Sequence, residues 1–246
     1  MTQTPIPQSI PNTVPEAAPV SGQTIQSEQF DENGLLTHCV NLKDGKLQGA
    51  FDSYGGPGVT LVQATYVEGQ LDGVLTLRDE SGQMQQETTY CKGIQEGLSR
   101  AYSGGRLLTE QNYHGGKLDG PSIVYSSAGQ ITVKQIYVDG RLDGESVYFH
   151  EGRMVRMATY RAGLQHGETI EFAREGKPVQ RAQYQNDLLE GVLTRYWPDG
   201  TLLERQVYKA GIPVGTLQRF DQSGTEVSQD TPKPSLMQRL EQMVKG

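Results

Sequence analysis

Aromatic and apolar side chains return at fixed positions along most of the chain, and glycines separate them at regular intervals. One column consists of tyrosines at positions 66, 90, 113, 137, 160, 184 and 208. A second column has eight positions, of which seven are aromatic: Tyr54, Arg78, Tyr102, Tyr125, Phe149, Phe172, Tyr196 and Phe220. Short strands joined by regularly spaced turns produce such columns, and residues 192–197 and 202–208 are two predicted strands.

Each tyrosine of the first column opens a motif such as "YVDGRLDG" at 137–144, and eight copies recur every 23 or 24 residues. A second set of glycines, also 23 or 24 residues apart, lies between these motifs. Glycine supplies the positive φ that tight hairpin turns require. The sequence therefore predicts an all-β fold: an elongated, single-sheet antiparallel meander of about eight hairpin repeats.

The two aspartates of "YVDGRLDG" also raise the possibility of a calcium loop, which needs several oxygen ligands around one ion. The first aspartate, Asp139, is replaced by Lys92, Gly115 or Ala162 in other copies. No ligand set is kept, so we interpret the motif as a turn and predict no metal site. The tyrosine columns leave two interpretations open, a ligand groove or packing between neighbouring repeats, and repeat architecture favours packing.

The motif Y-x-x-G-x-x-x-G, repeated in phase over about residues 30–227, resembles the MORN repeat. It is most similar to the bacterial MORN-variant class described as YwqK-like antitoxins. Three copies depart from the pattern, with Leu42 opening the first, Asp187 replacing a glycine in the seventh and Pro213 entering the eighth. The resemblance implies a non-enzymatic β-sheet scaffold that binds proteins or, in some eukaryotic members, lipids.

The charge balance narrows the class of partner. The chain carries 22 Lys and Arg against 29 Asp and Glu, a net charge of -7. Nucleic acids and anionic membranes favour basic surfaces, so we expect neither as the main partner. Two cysteines make no disulfide or zinc pattern, and no catalytic or cofactor motif is present. We expect a cytoplasmic protein that is not an enzyme and has no cofactor.

The position before the second glycine of each motif is acidic in five of eight copies. These residues, here called the acidic rim, are Asp72, Glu96, Asp119, Asp143 and Glu190. They should lie about 9.5 Å apart, twice the strand spacing, which does not suit a pair of catalytic carboxylates. They are candidates for binding basic side chains of a partner. The alternative is simple turn chemistry, because Asp before Gly is a common turn pair.

The two ends differ in composition from the repeats. We predict a disordered, proline-rich arm over residues 1–25, the repeat domain over 26–228, and a linker with an amphipathic helix over 229–246. The helix would place Leu236, Leu240 and Met243 on one apolar stripe. That stripe could cover the final hairpin, or it could bind a partner or a second copy.

The leading functional hypothesis is an interaction protein, either a toxin-neutralising immunity protein or an adaptor. Its partner would be a toxin, an effector or a secretion component. The alternatives are a membrane-associated scaffold and a structural spacer in a larger assembly.

Overall fold

A computed structural model describes residues 22–56 and 58–227, which form a single sheet of twenty strands. Strands pair antiparallel in chain order, so β1 lies at one edge and β20 near the other. The predicted all-β meander is confirmed, and no helix occurs in these residues. The strands are β1 Thr24–Phe30, β2 Leu36–Lys43, β3 Lys46–Tyr54, β4 Thr60–Val67, β5 Gln70–Leu71, β6 Gly73–Arg78, β7 Met84–Cys91, β8 Ile94–Ser103, β9 Arg106–His114, β10 Lys117–Tyr125, β11 Ile131–Val138, β12 Arg141–Leu142, β13 Gly144–His150, β14 Arg153–Arg161, β15 Leu164–Phe172, β16 Pro178–Gln185, β17 Leu188–Leu189, β18 Gly191–Tyr196, β19 Leu202–Lys209 and β20 Ile212–Arg219.

The first strand begins inside the segment assigned to the N-terminal arm, and the rest of that arm, residues 1–21, lies outside the described residues. The predicted C-terminal helix with Leu236, Leu240 and Met243 also lies outside them.

The glycines of the recurrent motif form two-residue hairpin turns, here called tip turns. In "YVDGRLDG", Val138 pairs with Arg141, and the residues between them, Asp139 and Gly140, have φ values of 51° and 79°. Two positive φ values in succession are the signature of the type I′ turn, which matches the twist of the flanking strands. The seventh tip has no glycine, yet Asp187 takes the same backbone conformation with φ of 67°. The motif is therefore a turn, as predicted.

The second set of glycines closes the opposite ends of the hairpins in what we call base turns. In the turn after β6, Gly82 N–H donates to the Asp79 carbonyl at 2.8 Å, and Asp79 N–H donates to the Gln83 carbonyl at 2.9 Å. The Asp79 carboxylate also accepts the backbone N–H groups of Ser81 and Gln83. Hydrogen bonds from Ser81 and Gln83 lower the pKa of the Asp79 carboxyl.

A two-residue bulge follows each tip turn. Tyr66 faces Leu71 across the hairpin, but three residues earlier Gln63 faces Thr76, so four residues oppose two. Gly73 sits in this bulge with φ of 123°, and a Cβ there would lie 3.3 Å from the Cβ of Thr65. Both the backbone angle and the close approach require glycine. Bulges bend strands and increase their twist, so each tip is inclined relative to the rest of its hairpin.

The two sides of the sheet have different surroundings. One side, here called the core face, carries a continuous row of buried cross-strand neighbours that includes Val40, Phe51 and Leu75, the last only 1% exposed. The row becomes polar towards the middle of the sheet, where the buried hydroxyls of Thr88 and Ser99 lie 2.9 Å apart. The other side, the open face, remains largely in contact with solvent.

The two aromatic columns lie on opposite sides of the sheet. Tyr66 is 6% exposed and packs edge-on against Phe51 at 5.9 Å, which places the first column on the core face. Tyr125 of the second column instead reaches Glu110 on the open face. The first column therefore packs between repeats, whereas the second is half-exposed and accessible to a partner.

Candidate protein-interaction surfaces

The acidic rim links each repeat to the next. Every rim side chain accepts a hydrogen bond from a backbone N–H of the tip turn that follows it in the chain, 19 or 20 residues later. The pairs are Asp72 Oδ2 with Lys92 N at 3.2 Å, Glu96 Oε2 with Gly115 N at 2.9 Å, Asp119 Oδ2 with Asp139 N at 3.1 Å, Asp143 Oδ2 with Ala162 N at 3.0 Å, and Glu190 Oε2 with Ala210 N at 2.7 Å.

A second hydrogen bond runs beside each of these. Gly93 N–H, for example, donates to the Leu71 carbonyl at 2.7 Å. Adjacent tips are therefore held by two bonds, one to the backbone and one to a rim side chain. The rim aspartates stabilise the next repeat, which is a different role from capping their own turn.

A charge is not required for this contact. Gln48 occupies the rim position of the first copy, and its Oε1 accepts Glu68 N–H at 3.0 Å. In the eighth copy the side chain of Val214 offers no acceptor. Among the described residues, the carboxylates of Asp72, Asp119 and Asp143 each use one oxygen in these contacts, so their charge remains available to solvent and to a partner.

Glu96 is bonded through both oxygens. Oε1 lies 2.7 Å from His114 Nδ1, while Oε2 accepts Gly115 N–H. The Gly115 N–H, followed by His114, lowers the pKa of the Glu96 carboxyl. In turn the hydrogen bond that the imidazole of His114 donates to Glu96 raises the pKa of that imidazole. Glu96 is thus the rim residue whose two carboxylate oxygens are both occupied by contacts within the chain.

The open face carries a network of charged side chains that was not predicted from the sequence. Arg100 lies between two carboxylates, donating from Nε to Glu110 at 2.9 Å and from one terminal nitrogen to Glu87 at 3.1 Å. Tyr125 donates its hydroxyl to Glu110 at 3.2 Å. Glu87 and Glu110 each lie three residues before a motif tyrosine, and Arg100 lies three residues after a second glycine. The period-two alternation of strands could therefore have placed these charged residues on one face.

Partial burial raises the pKa of the Tyr102 and Tyr125 phenols, and the neighbouring carboxylates raise it further. Both rings therefore stay neutral well above physiological pH.

The equivalent positions of the repeats in the C-terminal half of the sheet carry different side chains. Phe149 and Phe172 replace tyrosines, and Lys134 lies 6.0 Å from the ring centre of Phe149. In the whole chain, residues 22–125 contain seven Lys and Arg against thirteen Asp and Glu, whereas residues 126–227 contain twelve against thirteen. The negative charge is concentrated in the N-terminal half of the sheet.

The depressions on the surface of the sheet are open to solvent. In the described part of the chain, open depressions lie between neighbouring base turns, and one of them is lined by Arg106, Leu107, Tyr125 and residues 127–129. Within residues 22–56 and 58–227, no three His, Cys, Asp or Glu side chains converge as a metal site would require. The same residues contain no helix that is long and apolar enough to span a membrane.

The family model described as "MORN repeat variant" matches residues 71–92, 165–186 and 189–210. The first and third matched segments begin one residue before a rim residue, Asp72 or Glu190, and end at the tip residue whose N–H that side chain accepts. The second segment has His166 at the equivalent position, and its Nδ1 lies 3.4 Å from the side-chain oxygen of Asn186. These three segments are similar to MORN repeat variants. The matched unit is thus the segment that joins one tip to the next, which explains why the rim position recurs in it.

No curated protein matches the chain. Solved structures that match include "Crystal Structure of TcdB2-TccC3", with 12% identity and a TM-score of 0.23. That alignment covers 83% of this chain and 14% of the other, so this chain spans about one seventh of that protein's length. The likeness says nothing about what this chain binds.

Proposed function

We propose that the chain is a non-enzymatic scaffold that binds a partner protein with a basic surface. The observation that carries the proposal is the excess of carboxylates in residues 22–125, displayed on a sheet whose repeats are tied together by paired hydrogen bonds. A preordered surface loses little conformational freedom on binding. Complementary charge speeds encounter and sets specificity.

The finer role that we propose is that of an immunity protein that neutralises a toxin, or of an adaptor for an effector. MORN repeat variants and the acidic half of the sheet support a binding role of this kind. The acidic rim would contribute through Asp72, Asp119, Asp143 and Glu190, and Glu96 less so because His114 already occupies it.

The test begins with the tagged full chain purified from its native cells, followed by quantitative mass spectrometry. A partner present in stoichiometric amount is then purified, and its affinity is measured by calorimetry. Recovery of the chain without any such partner would overturn the proposal. Flotation with phosphatidylserine vesicles in that case would direct attention to a membrane scaffold.

Charge at the rim is tested without breaking the sheet. The triple variant Asp72→Asn, Asp119→Asn, Asp143→Asn removes three charges and keeps an oxygen acceptor at each position. The matched control changes three exposed carboxylates outside the rim, namely Glu145, Glu171 and Glu175, to Gln. We expect weaker binding and a reduced salt dependence for the rim variant only. Equal affinities for both variants would exclude the rim as the contact surface.

Immunity and adaptor roles are separated by expressing the partner alone in a host cell. Growth arrest that is relieved by co-expression of this chain would support neutralisation. A partner that is harmless alone would support the adaptor role.

A further inference from the structure

The half-exposed aromatic column offers a more specific contact than net charge. On the open face of strands β7 to β10, Tyr102 and Tyr125 alternate with Glu87 and Glu110. The two tyrosines lie two strands apart, as do the two glutamates. Two strand spacings correspond to about 9.6 Å.

Both the tyrosine rings and the carboxylates can bind a cation. A guanidinium stacks on a neutral tyrosine ring and forms charge-assisted hydrogen bonds with a carboxylate. Arg100 shows that these carboxylates accept such bonds, since it binds Oε2 of Glu87 and Oε2 of Glu110 at once. The other oxygen of Glu110 accepts the Tyr125 hydroxyl, so a further guanidinium would bind Glu87 Oε1 directly, and Glu110 contributes its charge. The three side chains remain about one quarter to one third exposed and together carry one net negative charge.

The spacing of the row selects the shape of the partner. A segment in the polyproline II conformation returns to the same face every third residue, after about 9.3 Å. That distance is close to the two-strand spacing, so a segment laid across the strands would keep a side chain in step with each tyrosine. The basic side chains on the surface of a folded domain are not spaced at a regular interval of this kind.

The C-terminal half of the same face does not offer this combination. The equivalent aromatic positions carry Phe149 and Phe172, and the neighbouring strands carry Lys134 and Arg181. Arg181 is paired with Glu168 at 2.9 Å. A basic segment would meet like charges there.

We propose that the open face around Glu87, Tyr102, Glu110 and Tyr125 docks an extended basic segment of a partner protein, with an arginine or lysine at every third residue. The proposal rests on the protein-binding function proposed above and names the chemistry of the partner. The segment crosses the strands, its cations lie over the tyrosine rings, and the depression beside Tyr125 receives an intervening apolar residue.

The test uses two fluorescein-labelled peptides of identical composition and charge. One consists of four Arg-Pro-Pro triplets, which hold one guanidinium per turn of a polyproline II helix. The other has four consecutive arginines followed by eight prolines. Anisotropy at physiological salt should show the triplet peptide binding the full-length chain about tenfold more tightly, a difference of about 1.4 kcal/mol.

Two double variants locate the site. Glu87→Gln with Glu110→Gln should weaken the triplet peptide about tenfold. Glu145→Gln with Glu168→Gln makes the same change in charge on the other half of the open face and should stay within twofold. Circular dichroism confirms that both variants keep the sheet. Equal affinity for the two peptides, or an equal effect of the two double variants, would overturn the inference.

These outcomes are distinguishable from failure of the proposed function. If a native partner is recovered but the triplet peptide neither binds nor competes with it, the scaffold function stands and this site does not. If the peptide competes with the partner, the inference is supported directly.

Discussion

The stability of the sheet should depend on the hydrogen-bond acceptors of the rim more than on their charge. In the triple variant Asp72→Ala, Asp119→Ala, Asp143→Ala, three tip turns lose the acceptor of one backbone N–H each. The second bond to each tip, from its glycine N–H to a backbone carbonyl, remains. The Ala variant therefore weakens three contacts between repeats without removing any of them completely.

The magnitude follows from the position of these groups. A hydrogen bond to a charged acceptor contributes about 1.5–3 kcal/mol to folding, and a neutral one about 0.5–1.5 kcal/mol. Because the rim is only half-buried, water replaces part of each bond, and about 1 kcal/mol per site is the expected loss. Contacts between different repeats add in a repeat protein. The triple Ala variant should lose about 3 kcal/mol, and the triple Asn variant only about 1 kcal/mol.

Urea unfolding followed by far-UV circular dichroism measures this difference over the whole sheet. Trp197, the one tryptophan of the chain, reports separately on the C-terminal repeats, where its indole N–H contacts the Phe220 carbonyl at 3.3 Å. Equal midpoints for the Asn and Ala variants would refute the acceptor argument. A loss in the Asn variant as large as that in the Ala variant would show that charge, and not the bond, stabilises the tips.

Three further outcomes are expected from the core face. Leu75→Ala should cost about 3 kcal/mol in urea unfolding, because the side chain is 1% exposed and its removal leaves a cavity. Ser146→Ala should change the free energy of unfolding by less than about 0.5 kcal/mol, because its buried hydroxyl has no hydrogen-bond partner in the described structure. Ser99→Ala, at the equivalent position of another repeat, should cost about 1 kcal/mol because the hydrogen bond with the Thr88 hydroxyl is lost. Burial, and then a hydrogen bond with Tyr148, raise the pKa of Tyr160 to about 12. A raised pKa favours the protonated folded state, so this contribution to stability is present below pH 10 and lost as pH rises towards 12. Ultraviolet titration should detect one tyrosine that ionises later than the others. The variant Tyr148→Phe should lower the pKa of Tyr160.

Much of the architecture could be predicted from local patterns. Glycines at fixed intervals predicted the tip turns, and Asp139 and Gly140 adopt the positive φ values that such turns require. In a meander, each strand pairs with the strand that precedes or follows it in the sequence. The repeat period was therefore sufficient to predict the order of the strands. The acidic rim was also visible as a column, and its spacing identified it as a feature of every repeat.

The partners of these side chains could not be predicted in the same way. Asp143 lies in the two-residue bulge that follows its own tip turn, and it contacts Ala162 N–H of the next tip. The alignment of repeats shows neither the bulge nor this contact. Arg100 binds Glu87 and Glu110 because strand register places three separate strands opposite one another.

The sequence by itself thus determined the repeat, the turns and the all-β sheet, since each depends on residues within one hairpin. Only the tertiary structure decided which face of the sheet is buried and what the rim carboxylates bind. The physical reason is that both depend on contacts between neighbouring hairpins, where a two-residue bulge shifts the pairing of the strands. The packed tyrosines and the accessible ones lie on opposite faces through the alternation of strands, and buried side chains are concentrated on the face of the packed ones.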